Sequence, residues 1–185
     1  MSEIYLANKD LTFIDYPDPD NWAVIFYFSG CSHGCKNCHN IQLKNRGVGK
    51  LYNVDEFNEL VKYETEKNKT KNVVFSGGDP LFKENLEFVK EFLIKYGSLY
   101  NICIYTGHNI EYVKENNVKG FKYIKCGTFD DSKKRLSGNF SDQFILASSN
   151  QNFYDENYNL ISEDGILIYD KKDLYYLKIN ERKGD

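Results

Sequence analysis

The chain has 185 residues, a net charge of −3, 41% hydrophobic residues and 28% charged residues. That size suits a single domain with a real core, and so small a net charge gives no general hold on nucleic acid or a membrane surface. No apolar stretch reaches the roughly 18 residues of a membrane span, and the opening MSEIYLANKD lacks the basic end and apolar run of a secretory signal, so a cytoplasmic protein is expected.

In chain order, the first strong element is WAVIFYFS (Trp22 to Ser29), a continuous apolar run of the kind that forms a strand covered on both faces. It leads directly into SGCSHGCKNCHN (Ser29 to Asn40), which holds three of the five cysteines. Asn53, with Glu56 three residues on, predicts the cap of a helix bearing Val54, Phe57, Leu60 and Val61 on one side. NVVFSGGDP predicts a buried strand over Val73–Phe75 and a turn. Leu86, Val89, Leu93 and Tyr96 mark a second amphipathic helix stopped by Gly97. NICIYTG reads as a third strand broken at Gly107, Ile110 to Glu115 as a short helix, and FKYIKCG as a fourth strand. QFILASSNQNFY, ILIY and LYYLKI are short β-like runs, the last two joined by DKKD as a hairpin turn. This last third is expected to cover a sheet edge or to meet a partner.

Strands alternating with helix-length crossovers imply a parallel sheet with helices outside. In such sheets ligand groups gather beyond the carboxyl ends of the strands. The cysteine loop, SGGDP, TGH and KCG each follow a strand, so they are expected to meet on one rim.

An odd cysteine count with three thiols in one loop is a poor disulfide framework and a good metal or cluster framework. Cys103 and Cys126 lie in apolar runs and read as buried small hydrophobes. Three thiolates suit zinc if His33 or His39 adds a fourth ligand, but no second paired ligand set exists here. They also suit an iron–sulfur cluster, which normally takes four cysteines, so that one iron would be left to a non-protein ligand. In SGGDP, Gly77 and Gly78 allow close backbone approach, and Asp79 offers a carboxylate to an ammonium group. His33 reads as a supporting or exposed residue of the loop, and His108 receives no role.

A CxxxCxxC loop after the first strand, followed by GGDP after the second, resembles the radical S-adenosylmethionine superfamily. FSGCSHGCKNCHN, FSGGDPL, IYTGH and the later SSNQ are similar, in that order, to the family of small activases that serve anaerobic ribonucleoside-triphosphate reductases. The resemblance covers roughly Asp15 to Tyr154. It implies an α/β fold, a partial TIM-like (βα) barrel of parallel strands, in one radical domain spanning 1–185. The core would run over about 15–154, with a short C-terminal β-rich extension over about 155–185. It implies a [4Fe–4S] cluster on Cys31, Cys35 and Cys38, with S-adenosylmethionine bound at the unique iron and cleaved by the reduced cluster to a 5′-deoxyadenosyl radical. Asn37, Cys38 and His39 would pass the adenine, and Gly77, Gly78 and Asp79 would hold the amino group. Thr106 and Gly107 would share that rim, and Lys125 would neutralise the carboxylate. The implied reaction is installation of a glycyl radical on the large reductase subunit, with flavodoxin or ferredoxin as electron donor and no nucleic acid or membrane involved. Another radical S-adenosylmethionine enzyme, or a non-enzymatic metal-binding or electron-transfer module, are the other readings. Departures from the family pattern are His39 in place of a common tyrosine, no Gly-Pro-Gly in DYPDPDNW, and some thirty residues beyond SSNQ.

Overall fold

A computed structural model describes residues 2–18 and 21–169. The first element, β1 (Glu3–Thr12), is a strand absent from the sequence expectations. The expected first strand follows as β2 (Ala23–Phe28) and pairs antiparallel with it. The short β3 (Lys50–Asn53) joins the outer side of β1. Then come α1 (Val54–Lys67), β4 (Asn72–Gly77), α2 (Leu86–Tyr96), β5 (Asn101–Tyr105), α3 (Ile110–Glu115) and β6 (Tyr123–Cys126). The C-terminal part contributes β7 (Gly138–Asn139), β8 (Gln143–Ile145), β9 (Asn152–Asp155) and β10 (Ile166–Ile168).

The main sheet has the order β3-β1-β2-β4-β5-β6-β9. Its four central strands, β2, β4, β5 and β6, run parallel, as the strand–helix alternation requires. The flanking β1, β3 and β9 are antiparallel to their neighbours. β9 covers the β6 edge, the task expected of part of the last third, and a second sheet of order β10-β8-β7 contributes Phe144 and Leu167 to a core shared with the main sheet. The hairpin turn at DKKD and the strand at LYYLKI fall outside the described residues. Among the described residues, no helix is long and apolar enough to cross a membrane.

Period-two alternation divides the apolar strands between two cores. Val24, Phe26, Phe28, Val73, Phe75, Ile102 and Ile104 meet all three helices on one face. Ile25, Val74, Cys103 and Tyr123 point to the other, where they meet Tyr16, Phe144, Phe153 and Leu167. At the centre of the helical face, Phe57 packs against Phe26, Phe28, Phe75, Phe88 and Phe92 at centroid distances of 5.2–5.8 Å.

The start of α1 follows its sequence signal. The Asn53 side chain accepts from the N–H groups of Asp55 and Glu56, while Glu56 accepts from the Asn53 N–H, a complete reciprocal cap. α2 stops at Gly97 as expected, though without a left-handed cap. Gly97 is right-handed, with φ −55°, and is needed because a Cβ there would lie 2.6 Å from the Gly120 carbonyl oxygen. Replacing Phe57 with Ala should cost about 3–5 kcal/mol in urea unfolding, the usual penalty for emptying a buried aromatic site. Ile94→Ala, at a position 83% exposed, should stay within about 0.5 kcal/mol of the parent chain.

Candidate functional site

The parallel strands deliver their following loops to one end of the sheet. A cavity of about 340 Å³ opens there, within the usual range of small-molecule sites. Cys31, Cys35 and Cys38 all line it, and all three thiols are free and partly exposed. The loop that carries them is pinned at both ends. Gly30 and Cys31 donate backbone N–H bonds to the Leu43 and Lys44 carbonyls, and the Asn40 amide donates to the Gly77 carbonyl at 3.2 Å. Asn85, fully buried, bridges the loop to the next turn by donating to the Ser29 and Asp79 carbonyls at 2.9 and 3.1 Å.

The donor set fits an iron–sulfur cluster with one position left for an outside ligand. Three soft thiols face one space, while Cys103 and Cys126 are 0% and 3% exposed and belong to the two hydrophobic cores. Burial pushes both of those thiols up, Cys126 to about 12, which suits inert core residues rather than ligands. His33 and His39 also line the cavity. His33, however, is engaged with Asp79 at 2.7 Å, and the exposed His39 ring sits 6.1 Å from that of Phe129.

The other candidate residues gather unevenly. Gly77, Gly78, Thr106, Gly107 and Lys125 are on the cavity wall. Asn37 is not: it is exposed, holds a left-handed φ of 56°, and donates its amide to Asp131 at 2.8 Å. Gly77 has φ +113°, and a Cβ there would meet the Phe28 backbone at 2.3 Å. Gly78 is needed for a reason the sequence did not suggest. A Cβ would lie 2.6 Å from the Gly30 carbonyl oxygen and 2.7 Å from that of Leu43, so the chain's own backbone takes up the space. Lys125 projects from β6 and donates to the Thr106 and Gly127 carbonyls, both at 3.3 Å, with its ammonium 5.4 Å over the Tyr105 ring. Burial lowers its pKa, opposed by the Asp79 carboxylate.

Asp79 lies behind the wall rather than on it. Its side chain is 1% exposed. One oxygen accepts from the Leu81 N–H at 2.8 Å, the other from the Gly107 N–H at 2.9 Å, and the Thr106 hydroxyl reaches both at 2.8 and 3.0 Å. The His33 ring completes the set. Burial works to raise this carboxyl, but hydrogen bonds from His33 and Gly107 outweigh it and hold the group below the ordinary carboxylate range. The ligand atoms of His33, Asp79 and His108 lie within 4.8 Å of one another. Both carboxylate oxygens already accept protein donors, so hydrogen bonding accounts for that cluster without a metal ion.

Several residues with no role expected from the sequence also shape this cavity. Tyr27 and Tyr105 occupy inner-facing positions of β2 and β5, and Asp15 and Gln151 also line the space. Strand parity is the signal that finds the two tyrosines. Gln151, within SSNQ, donates to the Gly127 carbonyl at 3.1 Å and accepts from the Ser148 N–H at 3.2 Å, while Asn150 donates to the Thr128 carbonyl. That motif therefore fastens the loop after β6.

Two outcomes follow from this geometry. After anaerobic reconstitution, Ala at Cys31, Cys35 or Cys38 should abolish the brown chromophore, whereas Ala at Cys103 or Cys126 should retain it, as iron and sulfide analysis will read. Gly78→Ala should destabilise the chain by about 1–3 kcal/mol in urea even with nothing bound, because the added methyl meets backbone.

Residues 22–154 match the family model described as a 4Fe-4S single cluster domain. Over 113 residues the chain is 25% identical to the anaerobic ribonucleoside-triphosphate reductase-activating protein of Enterobacteria phage T4, a match covering 60% of this chain and 70% of that protein. With the family model spanning well over half of its length and three thiols converging on one cavity, the chain belongs to the family of 4Fe-4S single cluster domains.

Proposed function

We propose that this chain is the activating enzyme of an anaerobic ribonucleoside-triphosphate reductase, working with a [4Fe–4S] cluster and S-adenosylmethionine to place a glycyl radical on the large reductase chain. The observation that carries this reading is the convergence of three thiols, and no fourth cysteine, on a cavity that also presents a buried lysine. The activase similarity points to the same chemistry. When bound, the cluster and S-adenosylmethionine supply one-electron cleavage of a carbon–sulfur bond and abstraction of a hydrogen atom.

The chain's own residues bind, orient and insulate. Cys31, Cys35 and Cys38 are the cluster ligands. The backbone at Gly77 and Gly78 offers polar atoms beside them, and Lys125 supplies a cation for the cofactor's carboxylate. Tyr27, Tyr105 and Ile25 give the inner wall an apolar surface that limits water. We read the sheet as an incomplete TIM-like barrel, since helices cover one face and the cavity opens towards the other. Its open side admits the glycine-bearing loop of the reductase. A flavodoxin or ferredoxin supplies the electron, and the reaction takes place in the cytoplasm.

The test is anaerobic incubation of the reconstituted, reduced chain with S-adenosylmethionine and its cognate reductase. A spin resonance doublet should appear on the large chain and collapse to a singlet when the target glycine is deuterated at Cα. Cofactor cleavage with no doublet would assign the chain to another radical S-adenosylmethionine activity.

A further inference from the structure

The carboxylate of Asp79 is out of the cavity's reach, and the wall in front of it consists of residues that bond to it. His33, Thr106 and Gly107 line the cavity, and each donates a hydrogen bond to Asp79. An ionised carboxylate only accepts, so the His33 ring must donate through Nε2. That ring has little freedom. A Cβ at Gly107 would stand 2.4 Å from its Cδ2 and 2.6 Å from its Nε2, so the ring fits only over a glycine. The His108 ring closes another side at 4.7 Å, edge on, and is itself stacked on Tyr112 at 3.7 Å. From this fixed residue, the His33 backbone N–H reaches back to the Cys31 sulfur at 3.4 Å. A continuous path thus runs from a buried carboxylate on the β4 turn to one of the three thiols.

We propose that Asp79 is a positioning residue for the cluster loop, acting through His33 to fix the Cys31 sulfur, and that it is not the acceptor of the cofactor's amino group. This rests on the reading of the three thiols as cluster ligands and of S-adenosylmethionine as cofactor. Hydrogen bonds to cluster sulfurs, and the groups that orient ligands, tune such centres. The strap therefore bears on the electronic state of the cluster as well as on loop order. Gly107 belongs to it as the residue whose missing side chain lets His33 dock.

The experiment compares the parent chain with His33→Leu, His33→Gln, Gly107→Ala and Asp79→Asn. In the metal-free protein, the rate of Cys31 alkylation by iodoacetamide is measured against that of Cys38 by peptide mapping. His33→Leu and Gly107→Ala should raise this ratio about three- to tenfold, the worth of one neutral hydrogen bond, while His33→Gln, which keeps a donor, should restore it. In the reconstituted protein, the reduced cluster's spin resonance should shift alike in His33→Leu and Asp79→Asn. Affinity is then compared between S-adenosylmethionine and its analogue lacking the amino group. Asp79→Asn should leave their ratio at the parent value. A collapse of that ratio in Asp79→Asn, or parent Cys31 reactivity in both His33→Leu and Gly107→Ala, overturns the proposal. If Asp79→Asn does not fold, the half-buried His33 and the Gly107 variants still decide it. If the parent takes up no cluster, the cofactor reading fails, while the alkylation arm still reports on the strap.

Discussion

Removing an ionised carboxylate from water costs several kcal/mol unless its lone pairs find donors, and the candidate site is arranged around one such group that has found them. Leu81, Thr106, Gly107 and His33 come from three separate segments, and each donates to Asp79. The turn after β4, the turn after β5 and the cysteine loop after β2 are therefore held in one arrangement before any cofactor arrives. Backbone bonds from Gly78 to Phe28 and from Asp79 to Gly30, both 2.8 Å, repeat that connection at main-chain level. Removing the turn after β4 would leave the buried Thr106 hydroxyl without its acceptor, and removing either of the other two would take donors from the buried Asp79 carboxylate.

The cavity's chemistry follows from strand parity. Residues 25, 27, 74, 103, 105, 123 and 125 share one face of the parallel strands, because neighbours along a strand point to opposite sides. That face begins with core residues and ends, towards the carboxyl ends, with Tyr27, Tyr105 and Lys125 beside the thiols. The opposite face is spent on packing three helices, with Phe57 of α1 between the strands and α2. Sheet and helices thus supply stability on one side and a lined space on the other. The loops add only what strands cannot present: three thiols within eight residues and backbone exposed by glycines.

Much of this was legible in the sequence, and the exceptions have physical causes. Apolar runs mark β2, β4, β5 and β6, one-sided apolar spacing marks α1 and α2, and a capping pair marks the start of α1. Both β1 and β3 escaped notice. β1 buries Ile4, Leu6 and Thr12 but carries Asn8, Lys9 and Asp10 between them, and its pairing shifts register between Leu6 and Asn8. β3 has only four residues, none of them buried. Local sequence marks Gly77 and Gly78 as a turn, but cannot show that Gly78 faces the carbonyls of residues 30 and 43. Nor can it show that Asp79 lies behind the cavity wall, because that placement depends on Thr106 and Gly107, far along the chain. The cysteine loop was the most legible feature of all, since its meaning lies in residue type and spacing more than in distant contacts.

The central claim is that three cysteines hold a four-iron cluster whose remaining iron is open to S-adenosylmethionine. Mössbauer spectroscopy of the chain reconstituted with iron-57, recorded with and without the cofactor, tests it most directly. The account predicts that one iron subsite changes its isomer shift when S-adenosylmethionine is added while the other three stay where they were. Four iron sites that ignore the cofactor, or a metal bound without cluster sulfide, would contradict it.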